Sequence, residues 1–149
     1  MKAVIQRVTS ASVEIEQEVV GQIEEGLLVL LGAAKGDTEA DVDYMVAKIP
    51  ALRIFPDQEG KMNRSLLDIG GQLLLVSQFT LLGDTHRGRR PGFDLAAHPE
   101  EARHLYEAAI DKFQRLDLEV KTGQFGANML VSLKNNGPVT FILDSQKKS

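Results

Sequence analysis

Apolar and polar residues alternate over positions 4–8 and 11–15, with Val13 and Ile15 sharing one face, and a period of two is the mark of a half-buried strand. The alternation resumes at 19–23 after a polar turn. Gly26 then precedes an uninterrupted apolar run at 27–31, the length of a strand buried on both faces. From there the period changes. Thr38-Glu39-Ala40-Asp41 forms a capping box, and Val42, Met45, Val46 and Ile49 follow at helical spacing until Pro50 should end the helix.

Pro56-Asp57-Gln58-Glu59-Gly60 is turn chemistry, and Gly70-Gly71 is a second break before a strand at 72–76. Pro99-Glu100-Glu101 opens a second helix, whose stripe is Ala102, Leu105, Tyr106, Ala109, Ile110 and Phe113. Residues 118–120, 128–133 and 139–143 complete the set as strands. Strands that do not alternate regularly with two main helices predict an α+β fold. The expectation is a single domain over residues 1–149, with a largely antiparallel, barrel-like sheet and a frayed tail at 145–149.

Composition narrows the classes. A chain of 149 residues, 43% hydrophobic and 26% charged, is long enough for one proper core. It has no cysteine, which excludes disulfides and thiolate metal sites and suits a reducing cytosol. The longest apolar run, 27–34, is too short to span a bilayer, and Met1-Lys2 leads into alternation, not into the apolar stretch of a signal peptide. The expectation is a soluble, cytoplasmic protein without a membrane partner. A balance of 17 basic against 21 acidic residues argues against a non-specific nucleic-acid binder, and no DNA partner is expected. The distribution qualifies this: His86-Arg87-Gly88-Arg89-Arg90 is strongly basic and could hold the phosphates of an RNA end, or could be a solvated surface loop.

The sequence has no HExxH, P-loop or GxSxG, so zinc proteases, Walker-type triphosphatases and α/β-hydrolases have no support. His86, His98 and His104 lack metal-ligand spacing; no metal or cofactor is expected. Two segments stand out. Ser77-Gln78-Phe79-Thr80-Leu81 directly follows an apolar strand, which would place a hydroxyl and an amide at the rim of a rigid scaffold. The alternative is a strand continuing outward, with Phe79 inside. Asn135-Asn136-Gly137-Pro138-Val139-Thr140 reads as a hairpin turn between two strands, or as a segment whose proline leaves backbone carbonyls free to face something else.

Together these segments resemble the D-aminoacyl-tRNA deacylase family. The likeness covers nearly the whole chain: residues 1–8 (MKAVIQRV), Ser77-Gln78-Phe79-Thr80-Leu81, Gly88-Arg89-Arg90-Pro91, Phe125-Gly126-Ala127 and Gly137-Pro138-Val139-Thr140. One departure is Asn136, where family members often carry Asp. The resemblance implies hydrolysis of D-aminoacyl-tRNA by a homodimer. In it Gly137 and Pro138, joined by a cis peptide, enter the partner's pocket beside Ser77, Gln78, Phe79 and Thr80 and exclude L side chains. Phe125 is a candidate to seat the terminal adenine or else a plain core residue, and Arg7 is expected to brace the Gly-Pro segment; because glycine has no side chain to reject, glycyl-tRNA(Ala) is expected as a further substrate. Thr80 is the evident nucleophile candidate, but the motif offers it no base, so attack by water is expected. A non-catalytic RNA-binding module, or a hydrolase of another activated ester, are the competing readings.

Overall fold

The computed structural model describes residues 1–147, and the sheet it contains is organised around one strand. β1 (Lys2–Ile15) pairs antiparallel with β3 (Gly26–Gly32) over its first half and with β2 (Glu18–Ile23) over its second. Its other flank pairs along almost its full length with β8 (Leu130–Asp144). The two stretches of alternation, 4–8 and 11–15, are therefore one strand. A register shift between Val8 and Ser10 reverses its faces: Ala3 and Ile5 point to one side, Ala11 and Val13 to the other. Since side chains alternate with period two, one extra residue is enough to move every later side chain across the sheet.

β6 (Gln72–Ser77) pairs parallel to β3, and β7 (Glu119–Thr122) parallel to β6. Parallel pairing needs long crossovers, and the two helices supply them: α1 (Glu39–Lys48) lies between β3 and β6, and α3 (Pro99–Gln114) between β6 and β7. Between α1 and β6 lie the small hairpin β4 (Phe55–Pro56) and β5 (Met62–Arg64), and the one-turn α2 (Leu66–Ile69).

β3 and β6 are buried on both faces, as the unbroken apolar run at 27–31 predicts. Leu27, Val29, Leu31, Leu73 and Leu75 pack under the helices against Val42, Met45, Ile49, Leu105, Tyr106, Ala109 and Phe113. Leu28, Leu74 and Val76 face inward with Val8, Ala11, Val13 and Ile23. The sheet thus curls into a nearly closed barrel with helices on one outer side. Gly21 marks the closure, because a Cβ there would sit 2.5 Å from the Thr122 carbonyl oxygen of β7. Only a residue without a side chain lets β2 approach β7 this closely.

Two expectations are corrected. The strands foreseen at 128–133 and 139–143 are a single strand, β8, with no hairpin at Asn135-Asn136-Gly137. The turn residues are accommodated by a bulge, because β1 offers that segment a full ladder on either side of it. The sheet is largely antiparallel, as foreseen, with antiparallel pairs around β1 and two parallel pairs outward to β7. Nor is the beginning of the tail frayed. Ser145 is buried; its N–H donates to the Met1 carbonyl at 2.9 Å and its hydroxyl to Asp41 Oδ1 at 2.6 Å, while the Met1 ammonium donates to Ser145 Oγ at 2.9 Å and pairs with Asp37. Positions 148–149 lie outside the described residues.

Gly21→Val should destabilise the protein by about 1–3 kcal/mol, the usual cost of forcing a side chain into filled space. Strand propensity alone predicts the opposite sign. The urea midpoint decides, and an unchanged or higher value would mean that β2 does not close against β7.

Candidate active site

Ser77 is the last residue of β6, and its ladder partner Leu31 fixes its height in the sheet. The chain then leaves the strand: the Gln78 N–H still donates to the Leu31 carbonyl at 2.9 Å, after which residues 79–82 coil into a 3-10 turn. This turn, and not a continuing strand, decides where Phe79 goes. Phe79 is 54% exposed, and its ring lies edge-on to Phe93 with centroids 5.1 Å apart. Ser77 and Phe79 rim a narrow hollow whose other walls are Met1, Leu31, Ala33, Ala102 and Tyr106. At its edge the Gln78 side-chain amide donates to the Thr80 hydroxyl. The only side-chain hydrogen bond described for that hydroxyl therefore comes from an amide, which cannot take a proton from it.

Behind the hollow, Tyr106 from α3 donates its phenol hydrogen to the Leu75 carbonyl at 2.7 Å, and burial pushes its pKa up to about 12. A phenol so held stays neutral at physiological pH and serves as a wall. Phe125 packs against the Tyr106 ring, centroids 6.0 Å apart, with the Arg103 guanidinium 5.0 Å above its own ring. It is half-buried against the main core, so its apolar body is already largely employed.

Gly137 and Pro138 occupy the bulge of β8. Between the pairs Gln6↔Thr140 and Val8↔Asn135, the single β1 residue Arg7 faces the β8 residues Asn136, Gly137, Pro138 and Val139, so the surplus loops outward. The bond between Gly137 and Pro138 is cis, and Gly137 has φ +146°. A side chain at that φ is strained, and a Cβ would lie 2.5 Å from Val139 Cγ2 and 2.9 Å from its nitrogen. Two side chains hold the base of the loop. Asn135 accepts from the Val139 N–H at 2.7 Å and donates to the Val139 carbonyl and the Thr140 hydroxyl at 3.2 and 3.0 Å. Arg7, only 8% exposed, donates from Nε to the Asn136 carbonyl at 2.9 Å and from Nη1 to the Ile54 carbonyl at 2.6 Å. Asn136 thus engages Arg7 through its backbone, an interaction that an Asp at the same position would also offer.

Within one chain the two segments stand apart. Ser77 aligns with Leu31 and Ala3, whereas the bulge lies opposite Arg7 on the far side of β1. Along the sheet this amounts to four residues, about 13 Å, and three strand spacings, about 14 Å. Gly137-Pro138 and Ser77-Gln78-Phe79-Thr80 are therefore not brought together by the fold of one chain. The basic loop is closed by paired hydrogen bonds between Asp84 and Gly92, at 2.7 and 2.9 Å, leaving Arg87, Arg89 and Arg90 exposed. Hydrogen bonds from the His86 ring and backbone N–H hold the Asp84 carboxyl below the usual carboxylate range.

Sequence reasoning missed Asn135, taken for a turn residue, and Arg103 and Phe93. Phe93 did leave a signal, an aromatic stranded in a Gly-Pro-Arg loop without periodicity. Asn135 left none, since its role appears only when the strand runs on past it.

The family described as D-Tyr-tRNA(Tyr) deacylase matches the chain over residues 4–144. D-aminoacyl-tRNA deacylases of Thermosipho melanesiensis and Desulfitobacterium hafniense are 55% and 56% identical over 148 and 147 residues, covering 99% of this chain and 99% of each relative. Among solved structures, the c-Myc DNA unwinding element binding protein superposes with a TM-score of 0.91 at 41% identity, covering 97% of this chain and 98% of that one. A probable eukaryotic D-amino acid tRNA deacylase shares the fold, with a TM-score of 0.81 at 16% identity over 95% and 97% of the two chains.

Asn135→Ala should free the bulge without touching the hollow. Hydrogen exchange at the Val139 amide is expected to accelerate by about tenfold, the loss of roughly one hydrogen bond's net worth, while β6 amides keep their protection. An unchanged Val139 rate would show that Arg7 alone holds the loop.

Proposed function

The chain belongs to the D-Tyr-tRNA(Tyr) deacylase family, hydrolases of the ester joining an amino acid to tRNA, and on that premise we propose that it clears D-amino acids from tRNA in the cytoplasm as a homodimer. Each site would combine Ser77, Gln78, Phe79 and Thr80 of one protomer with Gly137 and Pro138 of the other. One observation carries this reading: the Gly-Pro bulge is held outward by Arg7 and Asn135, yet lies too far along the sheet to serve its own Ser77. A second copy is the natural supplier. β8 is an edge strand bearing Leu130, Phe141 and Ile142, the last 74% exposed, and an apolar edge of this kind favours self-association.

An aminoacyl ester is already activated, so orientation and oxyanion stabilisation suffice. Water attacks the carbonyl carbon. The bond to the ribose oxygen breaks, that oxygen takes the proton, and free amino acid and tRNA result. The Gln78 amide and the first N–H groups of the 3-10 turn, which have no partner inside it, stabilise the oxyanion. Ser77 shapes the pocket. Thr80 positions the Gln78 amide and does not attack; the free ribose hydroxyl of the terminal adenosine assists the water.

Selectivity is steric. The carbonyls of Gly137 and Pro138 receive the substrate's α-amino group, and an L side chain would meet the same wall, whereas a D side chain points away. Arg7 acts through the bulge it braces. Glycine offers nothing to reject, so glycyl-tRNA(Ala) is also a substrate. Phe125 borders the adenine seat, and Arg87, Arg89 and Arg90 meet phosphates.

Purified protein should hydrolyse D-Tyr-tRNA roughly 100-fold faster than L-Tyr-tRNA or better, discrimination of the size a filled pocket gives. Gly137→Ala should slow the D-ester, and glycyl-tRNA(Ala) should be cleared at comparable enzyme concentration. Equal survival of the D- and L-esters would falsify the assignment. Thr80→Ala should cost about tenfold, the scale of one lost hydrogen bond. A loss on the order of a thousandfold, with dimer and tRNA binding intact, would instead identify Thr80 as the nucleophile.

A further inference from the structure

Three depressions run head to tail from Ser77 to the basic loop. The hollow at Ser77 shares Phe79 and Ala102 with a groove of about 380 Å³ whose floor includes Phe93 and Ala97. That groove shares Asp94 with a third depression of about 500 Å³, flanked by His86, Arg87, Arg90 and Leu95. The path therefore begins at the proposed reaction centre, passes exposed aromatic and aliphatic side chains, and ends among cations. Phe79, Phe93 and Leu95 are all exposed along it.

The channel is built on pinned backbone. Lys35 donates its N–H to the Leu95 carbonyl at 2.9 Å, Ala97 donates to Ala33 at 3.0 Å, and Asp84 and Gly92 close the loop beyond. Phe93 also buttresses Phe79 edge-on, which fixes both rings. Of the two acids on the path, Asp84 is engaged by His86, leaving Asp94 opposed by Arg87, Arg90 and Lys35 along the same lining. Flat apolar rings followed by guanidinium groups suit a single-stranded polynucleotide, whose bases stack while its phosphates seek cations.

We propose that this channel seats the unpaired nucleotides preceding the esterified adenosine, with Phe93 and Leu95 as the base platform and Arg87 and Arg90 as phosphate contacts. The proposal rests on the deacylase reading and extends it: these residues would make the strand leading into the site part of substrate recognition. Phe93 and Leu95 would then determine preference for a polynucleotide ester over a bare nucleoside ester.

The test compares D-tyrosyl esters of adenosine, of the trinucleotide CCA and of full tRNA, using the whole protein. For wild type, kcat/KM for the trinucleotide should exceed that for adenosine by about tenfold or more, the scale of one stacked base. Phe93→Ala should collapse that ratio, and so should Leu95→Glu, a second variant at an exposed position that places negative charge in the channel. Arg87→Gln with Arg90→Gln should lower the ratio and flatten its salt dependence. A wild-type ratio near one, or a ratio untouched by these variants, overturns the proposal. Inactivity of wild type on all three esters would instead remove the deacylase reading. Binding of unesterified CCA to wild type and to Phe93→Ala then decides the channel separately: equal binding, or none, rejects it.

Discussion

β1 carries hydrogen-bond ladders on both flanks, and every other part of the molecule takes its position from them. One flank holds β3 and β2 in succession; the other holds β8 from Lys2↔Asp144 to Glu14↔Leu130. A strand gripped on both sides cannot slip, because a one-residue slip would turn all its core side chains outward. Irregularities in the ladder are therefore stable features. The shift near Ser10 turns the sheet toward closure, and the surplus opposite Arg7 extrudes Gly137 and Pro138 at a fixed height. The buried Arg7 guanidinium ties that surplus to the segment before β4 through two carbonyl contacts, so that the charge is spent on backbone acceptors.

The second level of organisation is the pair of doubly buried strands. β3 and β6 present Leu27, Val29, Leu73 and Leu75 to the helices, and Leu28, Leu74 and Val76 to the barrel interior. Packed on both faces, they are the stiffest part of the fold, and Ser77 stands at the end of one of them. The 3-10 turn that follows converts this rigidity into exposure, since it carries Phe79 and Thr80 out of the sheet within three residues. The proposed site thus lies where a fixed scaffold stops and backbone groups become free.

Much of this was legible in the sequence. Period two at 4–8 and 11–15, the unbroken run at 27–31, the capping box at Thr38 and the stripe from Ala102 to Phe113 each report a local environment, and each element formed. The parts that failed depend on distant partners. Asn135-Asn136-Gly137 is good turn chemistry, but β1 provides a ladder on either side of it, and tertiary pairing outweighed local propensity. The parallel pairing of β6 with β3 and β7 has no local signature, because an apolar strand reads alike in either direction. Ser145 looked like tail chemistry, yet its contacts are Met1 at the opposite end of the chain and Asp41 in the first helix. At the candidate site, the motifs located the segments, but neither the exposure of Phe79 nor the clamp at Asn135 could be read without the fold.

The pairing of β8 with β1 also constrains how the molecule is made. Its contacts join residues separated by nearly the full chain, such as Ala3 with Leu143. Such contacts carry a high loop-closure cost before they yield any stabilisation, which makes folding slow compared with that of a protein built from local contacts. During synthesis β1 can engage β2 and β3 early, but one entire flank must wait until the last strand has left the ribosome. The bulge opposite Arg7 belongs to that last strand. Gly137 and Pro138 are thus set in place only in the final act of folding, and a chain truncated before β8 would keep Ser77 and Phe79 but have no Gly-Pro bulge at all.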